Sequence, residues 1–151
     1  MRALIQRCSS ASVSMKGQPT RSIGRGYAIL LGVGPSDDEE IARKLWEKIA
    51  KLRIFEDADG KANLSLRDIG GSVLLVSQFT LYADCRKGNR PSFASAGKPE
   101  MARRLYEYFA SLVREEGIEL ETGWFGEMMD VSLVNDGPFT IWLDSDEVVH
   151  P

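Results

Sequence analysis

The sequence has almost no histidine and little cysteine. Its one histidine, His150, is the penultimate residue, so neither a His-rich metal cluster nor a Ser-His or Cys-His pair can be built from the body of one chain. Any hydrolysis must then rest on carboxylates, hydroxyls, backbone amides or groups that the substrate brings. The two cysteines, Cys8 and Cys85, are far apart without C-x-x-C spacing, and the expected state of both is a free thiol in a reducing compartment. Long apolar runs are missing as well: Tyr27 to Val33 and Val73 to Val76 fall far short of the roughly 20 residues that cross a bilayer. The N-terminal Met1-Arg2-Ala3-Leu4-Ile5-Gln6-Arg7 turns polar too soon for a signal-peptide core. A cytoplasmic protein without a membrane segment is the expectation.

What is present suits one domain: 151 residues with an apolar fraction of 43% can fill a single core. A net charge of −3 argues against a general nucleic-acid binder, and no DNA partner is expected. The charges are nonetheless uneven. Arg86, Lys87, Arg90, Lys98, Arg103 and Arg104 face a single acid, Glu100, within their stretch, while Asp37, Asp38, Glu39 and Glu40 are bunched elsewhere. The basic stretch reads either as a local patch or as a solvated loop followed by a helix face.

Along the chain, Ala3 to Met15 reads as a strand, Lys16 to Pro19 as a turn, and Tyr27 to Val33 as a strand buried on both faces. Ser36 with Glu39 has capping-box spacing, and Ile41, Leu45, Ile49 and Leu52 then recur at helical intervals. Asp57-Ala58-Asp59-Gly60 reads as a turn, since the ligand pattern of a calcium loop does not continue beyond it. Val73 to Leu81 reads as a strand whose first half is apolar and whose second half acquires Ser77, Gln78 and Thr80, as where a core strand runs out into a site. A long Gly/Asn/Ser/Pro loop spans Asp84 to Lys98. Pro99 opens a second amphipathic helix carrying Met101, Leu105, Tyr108, Phe109, Leu112 and Val113, which stops at Gly117. Two strand-like segments, Met129 to Val134 and Phe139 to Leu143, join through Asn135-Asp136-Gly137-Pro138, and an acidic tail of unassigned role covers residues 144–151. The order predicts an α+β domain spanning residues 1–151, with helices packed on one side of a mixed or antiparallel sheet. A homodimeric partner is the economical cover for the other face.

Ser77-Gln78-Phe79-Thr80-Leu81 resembles the SQFTL motif of D-aminoacyl-tRNA deacylases, and Asn135-Asp136-Gly137-Pro138-Phe139-Thr140 resembles their N-x-G-P-x-T motif. Met1-Arg2-Ala3 with Gln6-Arg7, Gly70-Gly71-Ser72-Val73, Arg90-Pro91-Ser92-Phe93 and Val131-Ser132-Leu133-Val134 continue the likeness in the same order, from Met1 to about Leu143. The resemblance implies a homodimer with active sites at its interface, into which Gly137-Pro138 of one subunit projects with a cis peptide bond. On base rates alone an ordinary trans Gly-Pro turn would be expected. Rigid carbonyls beside the substrate's alpha carbon would leave room for hydrogen but not for an L side chain. Glycine, having no side chain, could not be rejected in that way, which makes glycyl-tRNA a candidate substrate.

The resemblance also implies ester hydrolysis at the 3′-terminal adenosine of D-aminoacyl-tRNA without metal or cofactor, assisted by the ribose 2′-hydroxyl. Backbone amides around Gln78 and Phe79 are the candidate oxyanion donors, Ser77 belongs to the same catalytic segment, and Thr80 is the competing nucleophile, with no evident partner to deprotonate it. Arg7 would orient the Gly-Pro carbonyls. Phe79, Ala102, Phe125 and Met129 would line the adenosine pocket, and Arg86, Lys87, Arg90, Lys98, Arg103 and Arg104 would meet tRNA phosphates. The competing readings are a non-catalytic dimeric binding module of the same fold, a relative with altered chiral specificity, and a serine esterase built on Ser77. The last lacks both the G-x-S-x-G elbow and a histidine.

Overall fold

A computed structural model describes residues 1–149, so His150 and Pro151 of the predicted acidic tail lie outside the described residues. The architecture is α+β. Strands β1 (Arg2–Ser14), β2 (Arg21–Ile23), β3 (Gly26–Gly32), β6 (Ser72–Ser77), β7 (Leu120–Thr122) and β8 (Asp130–Asp144) form one mixed sheet, and β4 (Phe55–Glu56) with β5 (Ala62–Leu64) forms a small hairpin. Helix α1 (Glu39–Ala50) and helix α2 (Pro99–Glu115) pack together on one face, and a short α3 (Ser145–Val148) ends the described chain. β1 pairs antiparallel with β3 on one side and β8 on the other, while β6 lies parallel to β3 and β7 parallel to β6.

The alternation of β1 sorts its side chains between two cores. Ala3 and Ile5 join Tyr27, Ile29 and Leu31 beneath the helices, where Leu45, Trp46 and Ile49 of α1 meet Leu105, Phe109 and Val113 of α2. Trp46 and Phe109 pack edge to face at 5.7 Å, and Tyr106 reaches down from α2 to donate its hydroxyl to the Leu75 carbonyl at 2.8 Å. A smaller cluster of Cys8, Ala11, Val13, Ile23, Ala28, Leu74 and Val76 occupies the other side, lapped by Trp124 and Met129. There the sheet curls: Arg21 of β2 donates to the Thr122 carbonyl at 2.7 Å and lies over the Trp124 ring at 4.1 Å. Among the described residues no helix covers the β8 end of this face, and Val131, Leu133 and Trp142 are exposed along it.

Three local expectations are corrected. The cap of α1 is Asp38, whose carboxylate accepts from the Ile41 amide at 2.8 Å, because Ser36 lies in the preceding turn, a residue pair too early. The strand expected to run to Leu81 ends at Ser77. Gln78 makes a final bond to the Leu31 carbonyl and the chain then coils into a 3-10 turn over Phe79–Tyr82. That turn folds back over Gly32, where an added Cβ would stand 3.0 Å from the Gln78 carbonyl oxygen and 3.2 Å from Leu81, so a residue without a side chain is what lets the turn seat. The segments on either side of Asn135 to Pro138 belong to one strand, β8, which pairs with β1 on both sides of an irregularity at 136–139. The Asp57 turn is as expected: its carboxylate accepts from the Asp59 and Lys61 amides, bonds that hold it below the usual carboxylate range.

Candidate functional site

The register of β8 on β1 isolates one feature. Thr140 pairs with Gln6 and Asn135 with Cys8, so Asp136, Gly137, Pro138 and Phe139 stand opposite Arg7 alone and leave the strand as a loop. The Gly137–Pro138 peptide bond is cis, and both residues are exposed. Beneath the loop Arg7 is buried at 5% exposure. Its Nε donates to the Asp136 carbonyl at 2.9 Å, its Nη1 donates to the Ile54 carbonyl at 2.6 Å, and its guanidinium lies 4.7 Å from the centre of the Phe139 ring. A Cβ on Gly137 would meet Arg7 Nη2 at 3.0 Å. A buried guanidinium requires acceptors, and two main-chain carbonyls with the flanking Asp136 carboxylate at 3.7 Å supply them.

The second feature is the end of β6. Ser77 is half-buried, and the first two residues of the 3-10 turn, Phe79 and Thr80, are exposed. The Gln78 amide, expected among the oxyanion donors, is spent on Leu31 at 2.8 Å. The amides of Phe79 and Thr80 open the turn, where N–H groups have no partner within it, and among the described residues neither donates elsewhere. Gln78 Nε2 donates to Thr80 Oγ1. The contact of that hydroxyl is thus an amide, which accepts no proton, and among the described residues no base is hydrogen-bonded to Thr80.

Ala102 and Phe125 belong to the core on the helix side, Phe125 resting against Tyr106 at 5.7 Å and under Arg103 at 4.7 Å. Met129 packs against the smaller cluster on the other side, its sulfur accepting from the Trp124 amide at 3.1 Å. Phe79 packs edge to face with Phe93 at 5.1 Å, both exposed, on the outer side of the turn. The six cations do not form one free patch. Arg86 is tied to Asp84 at 2.7 Å, whose carboxyl its hydrogen bonds hold down at about 2; Arg104 pairs with Glu39 at 3.2 Å; Arg103 lies on Phe125. Among the described residues Lys87, Arg90 and Lys98 carry no ion pair.

Arg2 had no role in the sequence-based expectations. Its Nη1 donates to the Leu81 carbonyl at 2.9 Å, its Nε pairs with Asp144 at 2.9 Å, and it lies over Tyr82 at 4.4 Å, so it moors the 3-10 turn to the sheet. The only signal was its place beside Gln6-Arg7 in the matched N-terminal segment; no spacing rule joins residues 2 and 81.

The two features are not neighbours within one chain. Ser77 is level with Leu31 and Ala3, four positions from the level of Arg7, and three strand spacings separate β6 from β8. At about 3.3 Å per residue and about 4.8 Å per strand they stand about 19 Å apart. A groove of about 660 Å3 lies away from both, lined by Glu47, Lys51, Arg53, Arg67, Asp68 and Glu116, where Arg67 and Glu116 pair with each other. No helix among the described residues is long and apolar enough to cross a membrane.

The chain is similar to known proteins over nearly its whole length. The model of the D-Tyr-tRNA(Tyr) deacylase family matches residues 4–144. A D-aminoacyl-tRNA deacylase of Koribacter versatilis is 58% identical over 145 residues, 96% of this chain and 97% of that one. That of Thermus aquaticus is 56% identical over 147 residues, 97% of each. Among solved structures, a c-Myc DNA unwinding element binding protein superposes with a TM-score of 0.88 at 38% identity, covering 95% of this chain and 98% of that one. A probable eukaryotic D-amino acid tRNA deacylase gives 0.84 at 17% identity over 94% and 97%, a likeness of fold alone.

Proposed function

The chain belongs to the D-Tyr-tRNA(Tyr) deacylase family, and from that premise we propose that it hydrolyses the ester of D-aminoacyl-tRNA at a site completed by a second copy of itself. The observation that carries the reading is the separation of its two motif segments. Gly137-Pro138 is exposed on a loop held from below by Arg7, and the level of Arg7 on β8 is about 19 Å from the Ser77 end of β6 in the same chain, a span built from strand spacings. A loop so held and so placed suits insertion into the pocket of a partner, and the uncovered β8 face with Val131, Leu133 and Trp142 offers the apolar surface for a two-fold interface.

In this assembly the partner's Gly-Pro carbonyls stand beside the alpha carbon and reject L side chains, while D-aminoacyl and glycyl groups enter. Phe79, Ala102, Phe125 and Met129 receive the terminal adenosine, and Lys87, Arg90 and Lys98, free of ion pairs among the described residues, meet acceptor-stem phosphates. The ester needs little activation. Phe79 and Thr80 amides stabilise the tetrahedral oxyanion, and the ribose 2′-hydroxyl assists attack, in keeping with a Thr80 hydroxyl whose hydrogen-bond partner among the described residues is an amide. The protein acts in the cytoplasm, where charged tRNA is used.

Deacylation of matched D-tyrosyl-tRNA and L-tyrosyl-tRNA by the purified protein, with a chelator present, tests this. Rapid release from the D ester alone is expected. Release from both at one rate points to altered chirality, and release from neither points to a binding module.

A further inference from the structure

Arg7 holds the Gly-Pro loop from the helix side, and a separate polar knot closes its neck from the opposite face of β1. Asn135 and Thr140 are the residues where β8 leaves and rejoins its partner, and Gln6 is paired with Thr140 across the strands. Gln6 Oε1 accepts from both Asn135 Nδ2 and Thr140 Oγ1, and Asn135 Nδ2 also lies 3.1 Å from Thr140 Oγ1 as a donor. The other end of the Asn135 amide, Oδ1, accepts from the Phe139 backbone N–H at 2.7 Å. One side chain thereby joins both ends of the loop to each other and to β1. Without it the four residues Asp136 to Phe139 would be fixed mainly at the Asp136 carbonyl that Arg7 grips.

From this geometry we infer that Gln6, Asn135 and Thr140 are positioning residues for chiral discrimination: they touch no substrate, and they fix how far Gly137-Pro138 reaches and where its carbonyls point. The inference rests on the reading of that loop as the filter. The physical reason is that exclusion by backbone atoms fails with a displacement of about 1 Å, the scale on which misplacement changes rates by orders of magnitude. A knot of neutral hydrogen bonds at the neck limits that displacement from the side Arg7 does not reach. It also explains why the outer residues of the N-x-G-P-x-T motif are an amide and a hydroxyl: Asn135 needs a donor and an acceptor at once, and Thr140 needs a donor for Gln6.

The test is Thr140→Val, which keeps the shape and removes the hydroxyl, with Thr140→Ser as the conservative restoration and Gln6→Met as an independent break from β1. Deacylation rates on D-tyrosyl-tRNA and L-tyrosyl-tRNA are measured for each, with thermal melting and sedimentation to establish fold and assembly. Thr140→Val and Gln6→Met are expected to raise the L-to-D rate ratio about tenfold or more while the D rate falls at most about threefold; Thr140→Ser restores the parent ratio. If one variant does not fold, the other carries the comparison. A parent protein that discriminates, with folded variants that discriminate equally well, overturns the knot and leaves the functional reading standing. A parent protein that hydrolyses neither ester, or both alike, overturns the functional reading and the knot with it.

Discussion

Removing the Arg7 guanidinium tests the Gly-Pro loop most directly, because so few contacts hold it. Arg7 makes two charge-assisted hydrogen bonds, to the carbonyls of Asp136 and Ile54, with its side chain only 6% exposed. A lysine can serve one carbonyl but lacks the fork that spans both, so Arg7→Lys forfeits one bond, a loss of about 2 kcal/mol. Arg7→Ala forfeits both and leaves the buried Ile54 carbonyl unpaired, a loss of about 4 kcal/mol. For a chain of this size each kcal/mol lowers Tm by about 2 to 4 °C, so melting should fall by about 4 to 8 °C for lysine and about twice that for alanine. The same 2 kcal/mol can raise the population of a displaced loop by up to about thirtyfold. Hydrolysis of L-tyrosyl-tRNA should rise toward that factor in Arg7→Lys, with a smaller effect on the D ester. Melting curves and the two deacylation rates are the assay. An Arg7→Ala protein that melts within about 2 °C of the parent and keeps its D-to-L ratio would refute the argument.

Three further outcomes follow from particular contacts. Arg2→Ala releases the Leu81 carbonyl and should lower the D rate about tenfold with the D-to-L ratio unchanged, because it loosens the 3-10 turn and not the filter; single-turnover rates read this. Gly26→Ala would put its Cβ 1.8 Å from the Ser72 carbonyl oxygen, backbone against backbone between β3 and β6, and should give no soluble folded protein on expression. Burial pushes the phenols of Tyr27 and Tyr82 above their ordinary range and that of Tyr106 up to about 12. The folded protein then keeps protons that the unfolded chain loses, so stability is full below pH about 10 and falls as pH rises from there toward the folded values, by up to about 1.4 kcal/mol per pH unit for each phenol. Absorbance titration at alkaline pH should show Tyr27, Tyr82 and Tyr106 ionising above the ordinary phenol range while the protein stays folded.

Much of the frame is legible in the sequence because it is local. The apolar run of β3 is buried on both faces as its composition demands, the 3.6-residue spacing of Leu45 and Ile49, and of Leu105, Phe109 and Val113, delivers the two helices, and Asp57 makes its turn with its own backbone. Where expectation and structure part, a distant contact intervenes. Ser36 and Asp38 are both good caps, and which one serves depends on where Val33 and Gly34 leave the chain after β3. The strand through Ser77 ends where its last partner, Leu31, ends, and the room for the turn that follows comes from Gly32 on a neighbouring strand.

The sequence by itself settled the family, since an ordered series of short segments survives without any coordinates, and it settled the class of the fold through periodicity. Through the resemblance of those segments it also pointed to Arg7, Ser77 to Thr80, Gly137 and Pro138, which residue type alone would not have singled out. Only the tertiary structure decided which amides are free, which cations are already paired, and that Arg2 and the Gln6-Asn135-Thr140 knot hold the two segments. Nearly all of these join residues far apart in the chain. A one-residue slip of β8 on β1 would undo the Gln6-Asn135-Thr140 knot while leaving every local propensity unchanged.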